Sequence, residues 1–174
     1  DDWDWEAALL YSKATSDDIT SNRVSNTLLK EALRDSTPAA YNPFSAGVDS
    51  NVERILVDVY RKGSSSLAMM DFKVSNGNFM DLAAGPMGVM FGVEIRREEM
   101  VDDRDPRLDG TIVYVDYEND TYPEIGDVVN SSPTGDVRGE RNTLSLFTEA
   151  QIPLSERINA QLALRYENMS DVED

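Results

Sequence analysis

The 174-residue sequence contains neither cysteine nor histidine. Without cysteine it can form no disulfide and no thiolate metal site, a composition that suits any compartment, including an oxidising one. Without histidine it lacks the commonest general base and the commonest transition-metal ligand of proteins. An enzyme would have to work with carboxylates, Lys, Tyr or Ser alone, and the sequence shows no motif for such chemistry. We therefore expect neither enzymatic activity nor a bound cofactor.

Basic residues are also scarce. The chain has 16 Lys and Arg against 33 Asp and Glu, which gives a formal net charge of −17. Phosphate binding requires clustered Lys and Arg, so the composition argues against a nucleic-acid partner. No apolar run approaches the roughly 18 residues of a transmembrane helix, and no signal peptide is recognisable. Because the sequence starts and stops abruptly beside patterned segments, we expect it to be a piece of a longer protein.

The dominant pattern is alternation with a period of two residues, which is typical of a β-strand with two different faces. In the stretch GPMGVMFGVEIRREE, every second residue from Val89 to Ile95 is bulky and apolar, whereas the residues between them change from glycine to Glu and Arg. Alternation of this kind recurs along the chain and predicts strands at about 2–12, 66–75, 86–98, 141–152 and 158–168.

One face of these strands carries charged groups of both signs, well inside the alternating segments. Such a face is typical of strands that line a water-filled interior, where the charged groups pair across strands. We expect these side chains to bond to one another or to an adjoining domain rather than to a substrate. The candidate polar side chains are Asp71, Lys73, Glu94, Arg96, Glu98, Glu149, Arg165 and Glu167.

The opposite face is apolar and raises the question of what covers it. A soluble antiparallel sandwich would alternate in the same way. However, a strand of about ten residues that is tilted near 45° crosses roughly 25 Å, the height of the apolar band of an outer-membrane barrel. Large aromatic residues at predicted strand ends would form the girdle of such a band. They are Trp3, Trp5, Tyr11 and Tyr166.

Two segments have helical spacing instead. In SNRVSNTLLKEALRD, apolar residues lie along two neighbouring stripes of a helix. In SNVERILVDVYRK they recur at helical spacing, and Ser50 and Glu53 have the spacing of a capping box. Both are predicted as short helices within a long connection. The connections alternate between long (13–63 and 99–140) and short (around Ala83 to Pro86 and Pro153 to Arg157). This alternation indicates that neighbouring strands are antiparallel and that both long connections lie at the same end of the sheet.

Several segments resemble the barrel of TonB-dependent outer-membrane receptors. They are the stretches LAAGPMGVMFGVEIRREE and SLFTEAQIPLSERINAQLALRYENMSD and the short loop sequences YNPFSAG and DDRDPRLDG. In that family an A-G-P turn precedes a strand that ends in G-x-E-x-R-x-E, and a later hairpin reads E-x-x-x-P-L before a strand with R-Y-E. The resemblance covers nearly the whole chain. It does not include the plug domain, the segment that engages TonB, or the terminal aromatic strand.

The resemblance implies an all-β fold, an antiparallel meander from a transmembrane β-barrel with short helices in a long extracellular loop. It implies a location in the bacterial outer membrane, with the short turns periplasmic and the candidate polar side chains facing the lumen. The parent protein would be a receptor for TonB-energised transport of siderophore-bound iron, cobalamin or an oligosaccharide. Its partners would be the plug domain, TonB, a small-molecule ligand and outer-membrane lipid.

An alternative is a soluble, acidic, β-rich domain that binds calcium or carbohydrate. The candidates for a divalent metal are Asp103, Asp105 and Asp109 in the acidic second loop, although their spacing lacks the order and the later Glu of an EF-hand. Under the receptor hypothesis, an isolated sheet of this kind has two open edges and an uncovered apolar face. We therefore expect the chain in water to hide this face by self-association, by strand exchange or by folding the loop helices back over the sheet.

Overall fold

A computed structural model describes residues 3–171; residue 2, where the sequence predicts the first strand to begin, lies outside this range. None of the helices in the described range is long and apolar enough to cross a membrane. A short 3₁₀ helix, Val52–Ile55, precedes the second strand. The order of the other elements is β1 (Trp3–Val24), α1 (Asn26–Arg34), β2 (Leu56–Leu82), β3 (Gly85–Arg104), α2 (Pro106–Asp109), β4 (Val113–Val115), β5 (Thr121–Gly126), β6 (Val137–Ser155) and β7 (Ile158–Met169).

The main sheet contains five of these strands in the order β1-β2-β3-β6-β7, and β4 and β5 form a separate two-stranded sheet. The main sheet is an open, mostly antiparallel meander. The predicted all-β antiparallel meander is therefore confirmed. The β4–β5 pair was not predicted, because a strand of three residues is too short to show alternation.

Both predicted short turns are present. Ala83 and Ala84 join β2 to β3, and Gly85 follows them with a φ of 134°, a conformation that favours glycine. Glu156 and Arg157 join β6 to β7. Two-residue connections of this kind produce adjacent antiparallel strands, as the alternation of loop lengths predicts.

The strands are longer than the alternating pattern predicts. β1 continues to Val24 rather than to residue 12, and β2 runs from Leu56 to Leu82 rather than over 66–75. From Trp3 to Asn22 every residue of β1 is exposed, so polar residues are tolerated on both faces, and strand pairing extends beyond the two-faced segment. The predicted long loops at 13–63 and 99–140 are therefore too wide, since the connections occupy 25–55 and 105–136.

One predicted helix is confirmed and the other is wrong. α1 begins after Ser25, whose Oγ accepts a hydrogen bond from the backbone N–H of Leu28 at 3.2 Å, the usual contact of an N-cap. In the second segment Asn51 adopts a left-handed conformation without a side-chain cap, and the chain enters β2 after a single 3₁₀ turn. Residues 56–60 also alternate and contain two valines and a tyrosine, so strand pairing overrides their helical spacing.

The chain divides into two compact units. The first, here called the sheet unit, comprises Ser65–Met100 and the described residues of Asp1–Ala14 and Gly139–Asp174. The second, here called the loop unit, comprises Thr15–Ser64 and Val101–Arg138. Of the buried apolar side chains in residues 3–171, the sheet unit contributes only Val89. The loop unit contributes the others, which are Ala32, Ile55, Val59 and Val128.

The sheet unit consequently exposes a broad apolar surface, here called the apolar face. Within this chain Leu164 is 72% exposed, Phe91 46% and Trp5 73%. Tyr11 is 71% exposed but lies within β1 rather than at its end, which corrects the predicted strand-end position of this aromatic residue. Other exposed members are Leu9, Met70, Phe72, Ile95, Leu144, Leu146, Leu162 and Tyr166.

Candidate functional site

The opposite surface of the sheet unit, here called the polar face, is organised around one aromatic ring. Phe147 lies over Gly92, and a Cβ atom built at residue 92 would overlap the ring. The Arg165 guanidinium stands over the same ring, 5.6 Å from its centroid. Phe147 and Arg165 are direct cross-strand partners of β6 and β7. Gly92 is therefore required for close packing here and not for backbone flexibility.

Arg165 links three strands of the polar face. It pairs with Glu167 at 2.7 Å on its own strand and with Glu94 at 3.4 Å on β3. Between them, Ser145 of β6 is completely buried; it accepts a hydrogen bond from Arg165 at 3.1 Å and donates one to Glu167 at 3.0 Å. Three of the predicted candidates therefore lie together, bridged by a serine that was not among them.

The remaining candidates form smaller pairs. Asp71 pairs with Lys73 at 3.5 Å, and Arg96 pairs with Glu98 at 3.4 Å, in each case along one strand. Glu149 accepts a hydrogen bond across strands from Gln161. The expected cross-strand ion pairing is therefore confirmed for Arg165, while these pairs form along single strands or with a neutral partner.

Three buried polar atoms of the polar face have no hydrogen-bond partner among the described residues. They are Asp71 Oδ1, Arg96 Nε and Thr143 Oγ1. Asp71 and Arg96 nonetheless keep their longer ionic contacts. A buried polar atom without a partner is costly, so these three positions suit a surface that meets water or further polar groups.

Two of the three metal candidates accept hydrogen bonds from the local backbone. Asp105 caps α2 by accepting a hydrogen bond from the Arg107 N–H at 2.9 Å, and Asp109 accepts one from the Thr111 N–H at 2.6 Å. Asp103 lines a shallow pocket with Lys62 and Val101. In the described part of the chain, no group of three or more acidic side chains is arranged to hold a metal ion.

Sequence reasoning missed the buried contact that organises the loop unit. Asp127, which is 0% exposed, accepts hydrogen bonds from Ser25 Oγ at 2.8 Å and from the Thr27 N–H at 3.0 Å, and it pairs with Arg107. Burial by itself would raise the pKa of the Asp127 carboxyl, but hydrogen bonds from Thr27, Arg107 and Ser25 hold it below its ordinary value. We call this group the Asp127 clamp. It joins α1 and α2 to the residue that follows β5, and no local pattern signals it, because its members are far apart in the sequence.

The chain was compared with family models, curated proteins and solved structures, and none of them matches. The resemblance to TonB-dependent receptors therefore rests on the motifs quoted above. Function is inferred from the chemistry of the two faces of the sheet unit.

The Phe147–Gly92 contact leads to a testable prediction. We expect Gly92→Ala to lower the free energy of unfolding by about 1–3 kcal/mol, the usual cost of overpacking, because the new methyl group must displace a ring that Arg165 holds in place. The measurement is urea unfolding in detergent micelles, followed by tryptophan fluorescence.

Gly77→Ala is the matched control, since a Cβ there would have no neighbour within 4 Å. In the Phe147→Ala background, Gly92→Ala should cost much less, as expected for two residues that interact directly. Equal stability of the Gly92→Ala and Gly77→Ala variants would contradict the proposed packing.

Proposed function

We propose that this chain forms part of the wall of a TonB-dependent receptor in the bacterial outer membrane. The parent protein would take up a scarce nutrient, such as siderophore-bound iron, cobalamin or an oligosaccharide, with the plug domain and TonB as partners. The apolar face would meet lipid, and the polar face would meet the aqueous lumen and the plug. The chain would serve as wall and vestibule, without catalytic chemistry of its own.

One observation carries this proposal: the sheet unit has almost no apolar core. Val89 is its only buried apolar side chain among the described residues, and many of its large apolar side chains are exposed, while the opposite face contains the buried Ser145 and the ion-paired Arg165. A sheet in water has the reverse arrangement, with its apolar face covered. An outward apolar band around a polar interior is the arrangement of outer-membrane barrels.

Strand length gives independent support. β7 has 12 residues, which at about 3.3 Å per residue extend about 40 Å. Tilted by 45°, such a strand crosses about 28 Å, close to the 25 Å apolar band of outer-membrane barrels. On β1, Trp3 and Trp5 lie at the start of the strand, where an aromatic girdle at one interface would lie.

The two tryptophans allow a direct test, because the chain has only two and both are predicted to lie on the apolar face of β1. We expect the chain to self-associate in buffer, as measured by sedimentation velocity, and to dissociate in detergent. In vesicles of brominated phosphatidylcholine, we expect strong quenching of tryptophan fluorescence, since bromine quenches only on close approach.

The opposite outcome is equally specific. A monomer in buffer that unfolds cooperatively, escapes quenching and gains thermal stability in millimolar calcium would contradict the proposal. It would favour the soluble calcium-binding alternative instead.

A further inference from the structure

The five-stranded sheet has two open edges. β1 lies at one edge and β7 at the other, so within residues 3–171 no strand pairs with the outer side of either. Every residue of β1 from Trp3 to Asn22 is exposed, and so are most residues of β7. The core of a bilayer holds no water that could satisfy such backbone groups, so open sheet edges do not occur in contact with lipid. Under the proposed membrane function, both edges must therefore find a partner.

The two edge strands run in the same direction. Cross-strand contacts show that neighbours are antiparallel, since residue numbers rise along one strand as they fall along the next. The contacts are Trp3 with Phe79 and Ser16 with Gly63 between β1 and β2, and Gly92 with Phe147 and Arg97 with Glu140 between β3 and β6. A two-residue turn joins β2 to β3, and β6 and β7 are also antiparallel. β1, β3 and β7 therefore share one direction.

The long connections fix the orientation of a copy in a membrane. They follow β1 and β3, so both leave the sheet at the same end. Together, residues 25–55 and 105–136 hold 12 acidic side chains against 4 basic ones. Charged side chains pass through hydrocarbon at a high cost, so copies that enter a vesicle from outside keep these connections outside. The two-residue turns cross instead, and all copies have the same orientation.

Copies in one orientation can satisfy both edges when β1 of one copy pairs in parallel with β7 of another. Each strand alternates between the apolar and the polar face. With the strands aligned at their first residues, Trp3 lies beside Ile158, and the apolar positions of one strand meet those of the other. The same alignment places Ala8 beside Ala163 on the polar face. The pair therefore continues both faces of the sheet.

The charges along this pair are also compatible. Near the short turns, β1 presents two carboxylates and β7 presents two amide side chains that can donate hydrogen bonds to them. They are Asp4 and Glu6 on β1 and Asn159 and Gln161 on β7. The charged residues of β7 meet uncharged side chains, so no like charges face each other. They are Arg165, beside Leu10, and Glu167, beside Ser12.

We propose that copies of this chain close a barrel in lipid, with β1 of each copy paired in parallel with β7 of the next. This inference rests on the proposed membrane function and names the partner of the two edges when the chain is alone in lipid; in the parent protein, other strands of the wall would take these edges. Head-to-tail contacts of this kind can close into a ring. Two copies supply ten strands, within the range of roughly 8 to 26 strands of outer-membrane barrels.

The absence of cysteine allows the contact to be mapped by cross-linking. Single-cysteine variants are mixed, inserted into phosphatidylcholine vesicles and treated with a bismaleimide that spans about 8 Å, the diagonal spacing of side chains on neighbouring strands. Vesicles are used because water reaches strand edges in a detergent micelle but not in the core of a bilayer.

Ala163→Cys should form a linked dimer with Ala8→Cys, or with Glu6→Cys or Leu10→Cys if the strands are staggered by two residues. Ala7→Cys is the matched control, because it changes the adjacent alanine on the opposite face. It should form no link with Ala163→Cys, since the sheet lies between the two thiols. Equal linking at positions 7 and 8 would overturn the proposed pair.

Further mixtures test the direction of the pair. Asn159→Cys should link to Asp4→Cys and not to Ser12→Cys, which lies roughly 26 Å farther along β1. The reverse result would show an antiparallel pair and overturn the proposal. Ala8→Cys by itself should form no linked dimer, because two β1 edges meet only when one copy is inverted. A strong self-link would therefore also contradict the shared orientation.

The double variant Ala8→Cys/Ala163→Cys tests closure. Its linked products should end at one size, which gives the number of copies in the ring, whereas a ladder without an upper limit would show an open filament. Quenching of tryptophan fluorescence by brominated lipid in the same vesicles separates the two proposals. Strong quenching without any link to Ala163→Cys would overturn the ring and leave the membrane function intact. Absence of quenching would overturn both.

Discussion

Replacing Asp127 with alanine should lower the free energy of unfolding of the loop unit by about 1.5–3 kcal/mol, the usual contribution of hydrogen bonds to a buried charged group. The variant leaves the Arg107 charge, the Ser25 hydroxyl and the Thr27 N–H without their common acceptor. Hydrogen exchange provides the measurement. The Thr27 and Val129 N–H groups, which bond to Asp127 and Val24, should lose protection.

Two further variants separate charge from hydrogen bonding. Asp127→Asn keeps an acceptor for Ser25 or Thr27 but loses the charge that faces Arg107, so it should fall between the wild type and the alanine variant. Asp120→Ala is the control, because Asp120 is exposed and lies in the same unit. Similar protection in the Asp127→Ala and Asp120→Ala variants would show that the clamp does not stabilise the loops.

The same clamp should respond to pH. The folded pKa of Asp127 lies below the unperturbed value of 3.8, so the charged form contributes stability at pH values above 3.8. That contribution is lost as the pH falls from 3.8 through the lower folded pKa. Protection of the Thr27 N–H should therefore decline over this acid range in the wild type, and the Asp127→Asn variant should lack this decline.

A second large effect is expected at the centre of β7, where neighbouring residues lie on opposite faces. Leu164 is 72% exposed on the apolar face, and Ala163 lies opposite Glu149 on the polar face. An arginine at the lipid-facing midplane of a barrel costs about 2–4 kcal/mol. We therefore expect Leu164→Arg to destabilise the vesicle-inserted chain by about that amount and Ala163→Arg to have little effect.

The readout is the urea midpoint of the chain folded into phosphatidylcholine vesicles. The two substitutions introduce the same charge at adjacent positions, so a difference in net charge cannot explain unequal effects. Equal destabilisation by both variants, or a larger effect at residue 163, would contradict the assignment of lipid and lumen to the two faces.

Some members of the polar face could be predicted from the sequence and others could not. Period-two alternation placed Glu94, Arg165 and Glu167 among its candidates, and the structure brings these three together. It did not select Ser145, which bridges them, or Phe147, which covers Gly92. Alternation identifies the face on which a side chain lies, but not the side chain that it meets on the next strand, because that depends on register.

By itself, the sequence determined the features that depend on near neighbours in the chain. These are the two-faced strands, the tight turns within Ala83 to Pro86 and Pro153 to Arg157, and a short helix within SNRVSNTLLKEALRD. Each follows from local side-chain spacing or from local hydrogen bonding.

Only the tertiary structure decided the full lengths of β1 and β2, the β4–β5 pair and the Asp127 clamp. Backbone pairing with neighbouring strands extends β1 and β2 beyond their alternating residues. It also makes a segment with helical spacing the start of β2. The clamp joins Ser25 and Asp127 across 102 positions. Contacts of this kind arise only after the chain has folded back on itself, so no local spacing records them.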